Sequence, residues 1–333
     1  MENHTMTEQV TILYIGGYGR SGSTILAQTL GQIPSFVNVG ELWQVWYRGL
    51  RENERCGCGR PFHSCEFWRA VGDEAFGGWD DVDVDKMVAF RPYLKRPRYA
   101  PHYALAAKAS IRSRTVSTML EEGGPVLERL YRAIQRISGA EVIVDSSKRL
   151  SYAVLLSLLP FADLRVVHLV RDSRAVAYSW ARSKESAASV GGRLMPRLSP
   201  AKASLGWSRQ NRLYGYLSGF ARFSRLRYED FVNDPAFYLA ETLSRVGFDD
   251  EAYRLPVVRG REISLSVDHT VSGNPARFRT GNIELRPDEE WKGKMRGADR
   301  KVVTALTAPL LLKYGYLGRN KPPKRKVLGE CQR

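Results

Sequence analysis

The stretch from Val10 to Leu30, VTILYIGGYGRSGSTILAQTL, constrains this chain more than any other. Its apolar, largely β-branched start (Val10, Ile12, Leu13, Ile15) predicts a strand. Gly16 to Thr24 is a tight loop of glycines and small polar residues, and Ile25 to Leu30 reads as the first turns of a helix. Strand, glycine loop and helix together aim backbone N–H groups and a helix N-terminus at an anion. The functional question is which anion.

The glycines admit three readings. Gly17-Tyr18-Gly19-Arg20-Ser21-Gly22 spells G-x-G-x-x-G, the dinucleotide fingerprint, and Glu41 falls near the position that would hold a ribose. Gly17 to Thr24 also fits the frame of a nucleotidase phosphate loop, but Ser23 stands where such a loop needs lysine. Without that lysine the β/γ-phosphate charge goes uncompensated. The third reading is a plain tight connection between strand and helix. The loop's own cation is Arg20, and two later strand ends carry cations too: Lys148 after VIVDSS and Arg171 after LRVVHLV. In an open α/β sheet the carboxyl ends of neighbouring strands face one crevice. Arg20, Lys148 and Arg171 are therefore expected to converge on a ligand with more than one anionic group, a set that a nicotinamide dinucleotide does not need.

The rest of the chain supports such a sheet. Phe36–Val39 is a second short apolar run ending at Gly40-Glu41; Val142–Val144, Leu164–Val170 and a stretch around Leu226 read as further strands. Val126–Ile137, Ser151–Leu159, Arg174–Arg182 and Pro235–Val246 read as helices. Short apolar strands alternating with helices imply a mostly parallel sheet covered on both faces. Residues 48–125 are less regular, with a helical-looking stretch at Ala104–Met119, and read as an insertion. The formal net charge of +16 admits nucleic acid, an anionic membrane surface or a polyanionic small ligand, and Lys321, Lys324, Arg325 and Lys326 form a basic tail. The first residues, MENHTMTEQ, lack an apolar run, and no stretch approaches the roughly 20 apolar residues of a membrane span, so a cytoplasmic location is expected. No nucleic-acid-binding module is visible.

These motifs carry a resemblance. GGYGRSGSTIL resembles the 5′-phosphosulfate loop of sulfotransferases that use 3′-phosphoadenosine 5′-phosphosulfate (PAPS). HLVRDSRAVAYSW resembles their 3′-phosphate motif, an arginine and a serine eight residues apart, here Arg171 and Ser179. VDSSK, RYEDFVNDP and HTVSGNPARF resemble further blocks of the family's bacterial branch. The resemblance implies a P-loop-type three-layer α/β fold, its central, mostly parallel sheet flanked by helices. It implies one domain over residues 1–320, with a mainly helical insertion at about 48–125 and a basic tail over 321–333. PAPS would be the co-substrate, no metal would enter the chemistry, and the partner would be a hydroxyl-bearing acceptor: a small molecule, carbohydrate or lipid. The insertion and the basic Ser183–Pro200 segment, read as a lid, would shape the acceptor pocket. Two rivals stand beside this reading, an NAD(P)-dependent oxidoreductase of Rossmann type and a basic nucleic-acid-binding protein.

Roles then attach to residues. Backbone N–H groups of Ser21, Gly22, Ser23 and Thr24, at a helix N-terminus, suit the 5′-phosphosulfate, and the family match puts Arg20 near the bridging oxygen. Arg171 and Ser179 suit the 3′-phosphate. Tyr228 matches the family's adenine-contacting tyrosine, and Arg277 is a phosphate contact by resemblance alone. Glu41 is the expected base, since some family members carry a catalytic glutamate at a similar distance from the loop; orienting Arg20 or capping a helix are its alternatives. Lys148 would neutralise the sulfonate as it moves. His168 lies mid-strand and reads as core, whereas His269 belongs to the cofactor-side block and is open to a functional role. Cys56, Cys58 and Cys65, with His63 among them, form one compact cluster rather than two separated ligand pairs. They read first as ordinary thiols in a structured loop, ahead of a disulfide or zinc.

Overall fold

Val10–Gly17 forms β1, the central strand of the computed structural model, which describes residues 9–95, 113–182, 196–248 and 258–318. Around it lie β2 (Phe36–Gly40), β3 (Val142–Asp145), β4 (Ala162–Val170) and β5 (Arg222–Arg227), all parallel, in the order β2-β3-β1-β4-β5. Alternation explains why the central strand is apolar almost throughout. Ile12 and Tyr14 of β1 enter one core cluster and Leu13 and Ile15 another, and all four are fully buried. A strand covered on both faces has no polar side to present.

Helices supply the covers. On one face lie α1 (Ser23–Leu30), through Leu26 and Leu30, and a later helix, Pro235–Arg245, through Leu239 and Leu243. On the other lie Glu66–Phe76, Gly124–Ser138 and Leu150–Ser157, designated α2, α3 and α4. Ser173–Ala181 (α5) follows β4, and Pro200–Tyr214 (α6) packs against both α5 and Gly297–Lys313 (α7). Among the described residues no helix is long and apolar enough to cross a membrane.

The expected strands and helices occur at their expected places, within a few residues at the ends. Sequence reading passed over α6, although Ser199 caps it and Pro200 opens it, the usual start signal. It also passed over α7 and a small antiparallel sheet of Val258–Arg259, Glu262–Leu265 and Gly281–Glu284. Those strands are two to four residues long, too short to carry a period. The basic tail, the Ser183–Met195 part of the lid segment and residues 104–112 of the helical-looking stretch lie outside the described residues.

The strand order bears on the Rossmann rival. In that fold β2 lies directly beside β1, so that a carboxylate ending β2 reaches the ribose of a nucleotide on the glycine loop. Here β3 separates β1 from β2, and the end of β2 faces the end of β3 instead.

Candidate active site

Five strand ends define one edge of the sheet, and the functional candidates stand along it in strand order. Glu41 follows β2, Lys148 follows β3, the glycine loop follows β1, Arg171 follows β4 and Tyr228 follows β5.

The glycine loop is shaped by its neighbours. Gly22 has φ +91° and lies against the Tyr228 ring, so a Cβ there would be strained and would collide with that ring. Gly17, at φ +137°, would drive a Cβ into the Leu169 carbonyl. Arg20 also takes a left-handed φ of 71°, and its guanidinium lies 5.1 Å from the centre of the Trp180 ring, whose Nε1 donates to the Gly19 carbonyl at 3.1 Å. Gly22 stands at the N-cap of α1, where no side chain caps the helix and no acidic residue occupies the first turn. The buried hydroxyl of Ser21 has no hydrogen-bond partner among the described residues. An open helix N-terminus beside an orphaned hydroxyl and an arginine is chemically suited to an anion.

On the β2–β3 side, Lys148 Nζ donates to Glu41 Oε1 at 2.7 Å, although 107 residues separate them. The sheet makes this meeting: Gly40 pairs with Asp145, and the Ser146 N–H donates to the Gly40 carbonyl at 2.7 Å. Buried Asp145 accepts from the Tyr131 hydroxyl at 2.7 Å and from the Ser147 N–H at 2.8 Å, fixing the turn that carries Lys148. Burial alone would raise the Glu41 pKa, but Lys148, Arg48 and Arg149 outweigh it and hold the carboxyl below its ordinary 4.5. Burial lowers the Arg20 pKa, and Glu41 opposes that drop. Arg20, Glu41 and Lys148 thus form one coupled group.

On the β4–β5 side, Arg171 is 6% exposed. Its Nη1 donates to the Arg20 carbonyl at 3.0 Å, and its guanidinium lies 4.6 Å from the centre of the Tyr228 ring. Its Nε has no hydrogen-bond partner among the described residues, while Nη2 is taken by Asp288 at 2.8 Å. Ser179 sits two turns into α5, whose next residue is the Trp180 that braces Gly19. Arg277 is placed differently. It is 2% exposed, and its terminal nitrogens donate to the carbonyls of Thr270, at 2.7 Å, and Arg55. Its Nε has no hydrogen-bond partner among the described residues. His168 is core, as expected: fully buried, bonded to Asn211 at 2.8 Å and pushed by burial to a pKa of about 3.

Three participants escaped sequence reading. Gln210 of α6 donates to the carbonyls of Gly17 at 2.6 Å and Lys148 at 2.7 Å, clamping the loops after β1 and β3 together. Asp288 pairs with Arg171, and Trp180 braces the glycine loop. Nothing local marks Gln210 or Asp288, because each acts on residues more than 60 positions away. Trp43, two residues past Glu41, lines a narrow apolar cavity together with Tyr47, Phe90, Leu94, Met119 and Tyr152. The Arg91 guanidinium lies over the Tyr47 ring at 3.9 Å, and that of Arg149 over Trp43 at 4.8 Å.

Comparison with curated proteins finds no match. Among solved structures, the chain is similar to the sulfotransferase domain of the Synechococcus PCC 7002 olefin synthase, with 18% identity, 90% of this chain and 95% of that one covered, and a TM-score of 0.45. It is similar to the sulfotransferase domain of the curacin biosynthetic pathway, with 16% identity, 90% and 98% covered, and a TM-score of 0.46. It is also similar to sulfotransferase STF9 from Mycobacterium avium, with 15% identity, 92% and 76% covered, and a TM-score of 0.41. The family described as Sulfotransferase family matches residues 13–251, well over half of the sequence, and the chain belongs to it.

Proposed function

We propose that this sulfotransferase takes the sulfuryl group of PAPS and passes it to a hydroxyl of a small-molecule, carbohydrate or lipid acceptor. The observation that carries this reading is the coupled Arg20–Glu41–Lys148 group beside an uncapped helix N-terminus. Glu41 takes the acceptor's proton as the acceptor oxygen bonds to sulfur. The bond from sulfur to the 5′-phosphate oxygen breaks, and adenosine 3′,5′-bisphosphate leaves. Arg20 and the N–H groups of Ser21 to Thr24 meet the charge that grows on the leaving phosphate, and Lys148 faces the moving sulfonate. Positioning and electrostatics supply most of the rate, as in phosphoryl transfer.

Arg171 and Ser179 hold the 3′-phosphate, and Tyr228 the adenine. Support comes from the Nε of Arg171, which has no hydrogen-bond partner among the described residues, and from the contacts of Tyr228 with both Arg171 and Gly22.

Thermal unfolding of the desalted chain tests the donor assignment. Adenosine 3′,5′-bisphosphate at 100 times its Kd is expected to stabilise by about 2.7 kcal/mol, with NAD(P)H giving no shift. Arg171→Ala is expected to lose most of that shift. Stabilisation by NAD(P)H alone, or an undiminished shift in the variant, would defeat the assignment. Labelled PAPS incubated with a host-cell extract, followed by mass identification of the labelled product, identifies the acceptor.

A further inference from the structure

The fold brings His269 to the three clustered cysteines, from more than 200 residues further along the chain. Sγ of Cys65 lies 3.6 Å from Sγ of Cys56 and 3.7 Å from Sγ of Cys58. His269 Nδ1 lies 3.2 Å from Cys65 Sγ and 3.8 Å from Cys56 Sγ, and all four donor atoms fall within 4.8 Å of one another. These separations are far longer than the roughly 2.05 Å of a disulfide. The four separations of 3.2–3.8 Å match the edges of a tetrahedron around zinc: Zn–S of about 2.3 Å implies sulfur pairs roughly 3.8 Å apart, and Zn–N of about 2.0 Å implies sulfur–nitrogen pairs of about 3.5 Å. We propose that Cys56, Cys58, Cys65 and His269 bind one structural zinc ion that ties the insertion to the segment bordering the candidate active site.

The surroundings fit a closed thiolate site. Cys56 and Cys65 are fully buried, and Cys58 is partly so. Backbone N–H groups of Cys58, Arg60 and Trp68 donate to the sulfurs of Cys56, Cys58 and Cys65, the kind of support that stabilises thiolate ligands. The His269 ring stacks on Phe67 at 4.9 Å, and its carbonyl accepts from Trp68 Nε1 at 2.8 Å, so the histidine is held in place by the helix that follows Cys65. Gly57, between two of the ligands, donates its N–H to Thr270 at 2.9 Å. Three thiolates around a divalent ion leave one negative charge. Arg277 offsets it while holding the carbonyls of Arg55, beside Cys56, and Thr270, beside His269. Four protein donors leave no open position, which makes the ion structural rather than catalytic.

The mechanical consequence reaches Glu41. Thr270 and Ser272 pack on Gly40, the Val271 N–H donates to the Val39 carbonyl at 3.1 Å, and the Asn274 N–H reaches Thr24 Oγ1 at 3.4 Å. A zinc ion at His269 therefore fixes the strip that supports both the end of β2 and the start of α1.

Elemental analysis of the reduced, full-length chain expressed with added zinc tests the site directly. It is expected to give about one zinc per chain, and cobalt substitution to give the absorption of a tetrahedral thiolate site. Stripping zinc with a chelator is expected to lower the melting temperature by more than about 5 °C, and re-adding zinc alone to restore it. Cys58→Ser, at a partly buried ligand, and His269→Ala are expected to speed zinc release to a chromogenic chelator at least about 10-fold. Metal-free protein that takes up neither zinc nor cobalt overturns the proposal, as does a disulfide among the three cysteines, or iron as the bound metal. Equal melting temperatures with and without zinc overturn the structural role. None of these readouts depends on the donor or acceptor proposed above.

Discussion

Glu41 and Lys148 are each other's partner, and this sets the pH behaviour of any chemistry they share. A base acts only when ionised. Lys148, Arg48 and Arg149 hold the Glu41 carboxyl below 4.5 against the opposing effect of burial, so it is ionised throughout the neutral range. Activity is expected to hold through the neutral range, with its acid limb lying below the ordinary carboxylate range. Lys148→Met removes the largest of these depressing influences and leaves burial in place. The acid limb of kcat/KM is then expected to move to higher pH, with kcat reduced as well. Glu41→Gln is expected to cost roughly 10²–10⁴-fold in kcat with nucleotide binding nearly intact. An unmoved acid limb in Lys148→Met would separate the observed titration from Glu41. Asp288 invites a different test. It is half-exposed and occupies Arg171 Nη2, where a phosphate would compete with it. Asp288→Asn removes a negative charge from that site, and calorimetric titration is expected to show adenosine 3′,5′-bisphosphate binding about 3- to 10-fold tighter. Weaker binding would make Asp288 a positioning partner of Arg171 rather than a competitor.

At the scale of elements, α6 holds two strand-end loops through one side chain. The two N–H bonds of the Gln210 amide reach the carbonyls of Gly17 and Lys148, so the loops bearing Arg20 and the lysine cannot drift apart independently. Gln210→Ala is expected to cost about 1–3 kcal/mol in urea unfolding, because two inward carbonyls lose their donor, and to lower kcat. Gln210→Glu keeps the shape but offers acceptors to acceptors, and is expected to cost at least as much. Wild-type stability and turnover in both variants would show that the clamp carries nothing. The same clamp marks the limit of what the sequence discloses. The first four strands were legible because apolar runs end in glycine or charge, the fifth only as a short stretch around Leu226, and their shared direction put Arg20, Lys148 and Arg171 on one edge. Gln210 was not, since its targets are main-chain carbonyls of elements 62 and 193 residues away. His269 shows the same limit: the C-x-C spacing hinted at ligands, but the fourth donor lies in a block whose motif pointed to the nucleotide. Local pattern discloses elements, while pairings across the sheet edge come only with topology.

For the molecule as a whole, the charge excess becomes intelligible once the sheet edge is assembled. A formal net charge of +16 admits a nucleic acid or a polyanionic small ligand, and the two differ in how salt acts. Arg20, Lys148 and Arg171 sit at strand ends, two of them largely buried in ion pairs; buried contacts are screened little, whereas the long-range field is cut off within about 10 Å at 0.1 M salt. Salt should therefore slow the encounter with a polyanionic donor and leave the bound complex nearly unchanged. Raising ionic strength from about 0.05 to 0.5 M is expected to lower kcat/KM for PAPS several-fold while kcat changes by less than about twofold. Duplex DNA at physiological salt is expected to leave that kcat/KM unaltered. A nucleic-acid binder would behave otherwise: its duplex affinity would fall about 10³–10⁵-fold between 50 and 200 mM salt for six to ten phosphate contacts, and duplex would compete with the donor. Competition by duplex with that slope would move the charge excess from steering the donor to holding a nucleic acid, and the strand-end cations would then need another explanation.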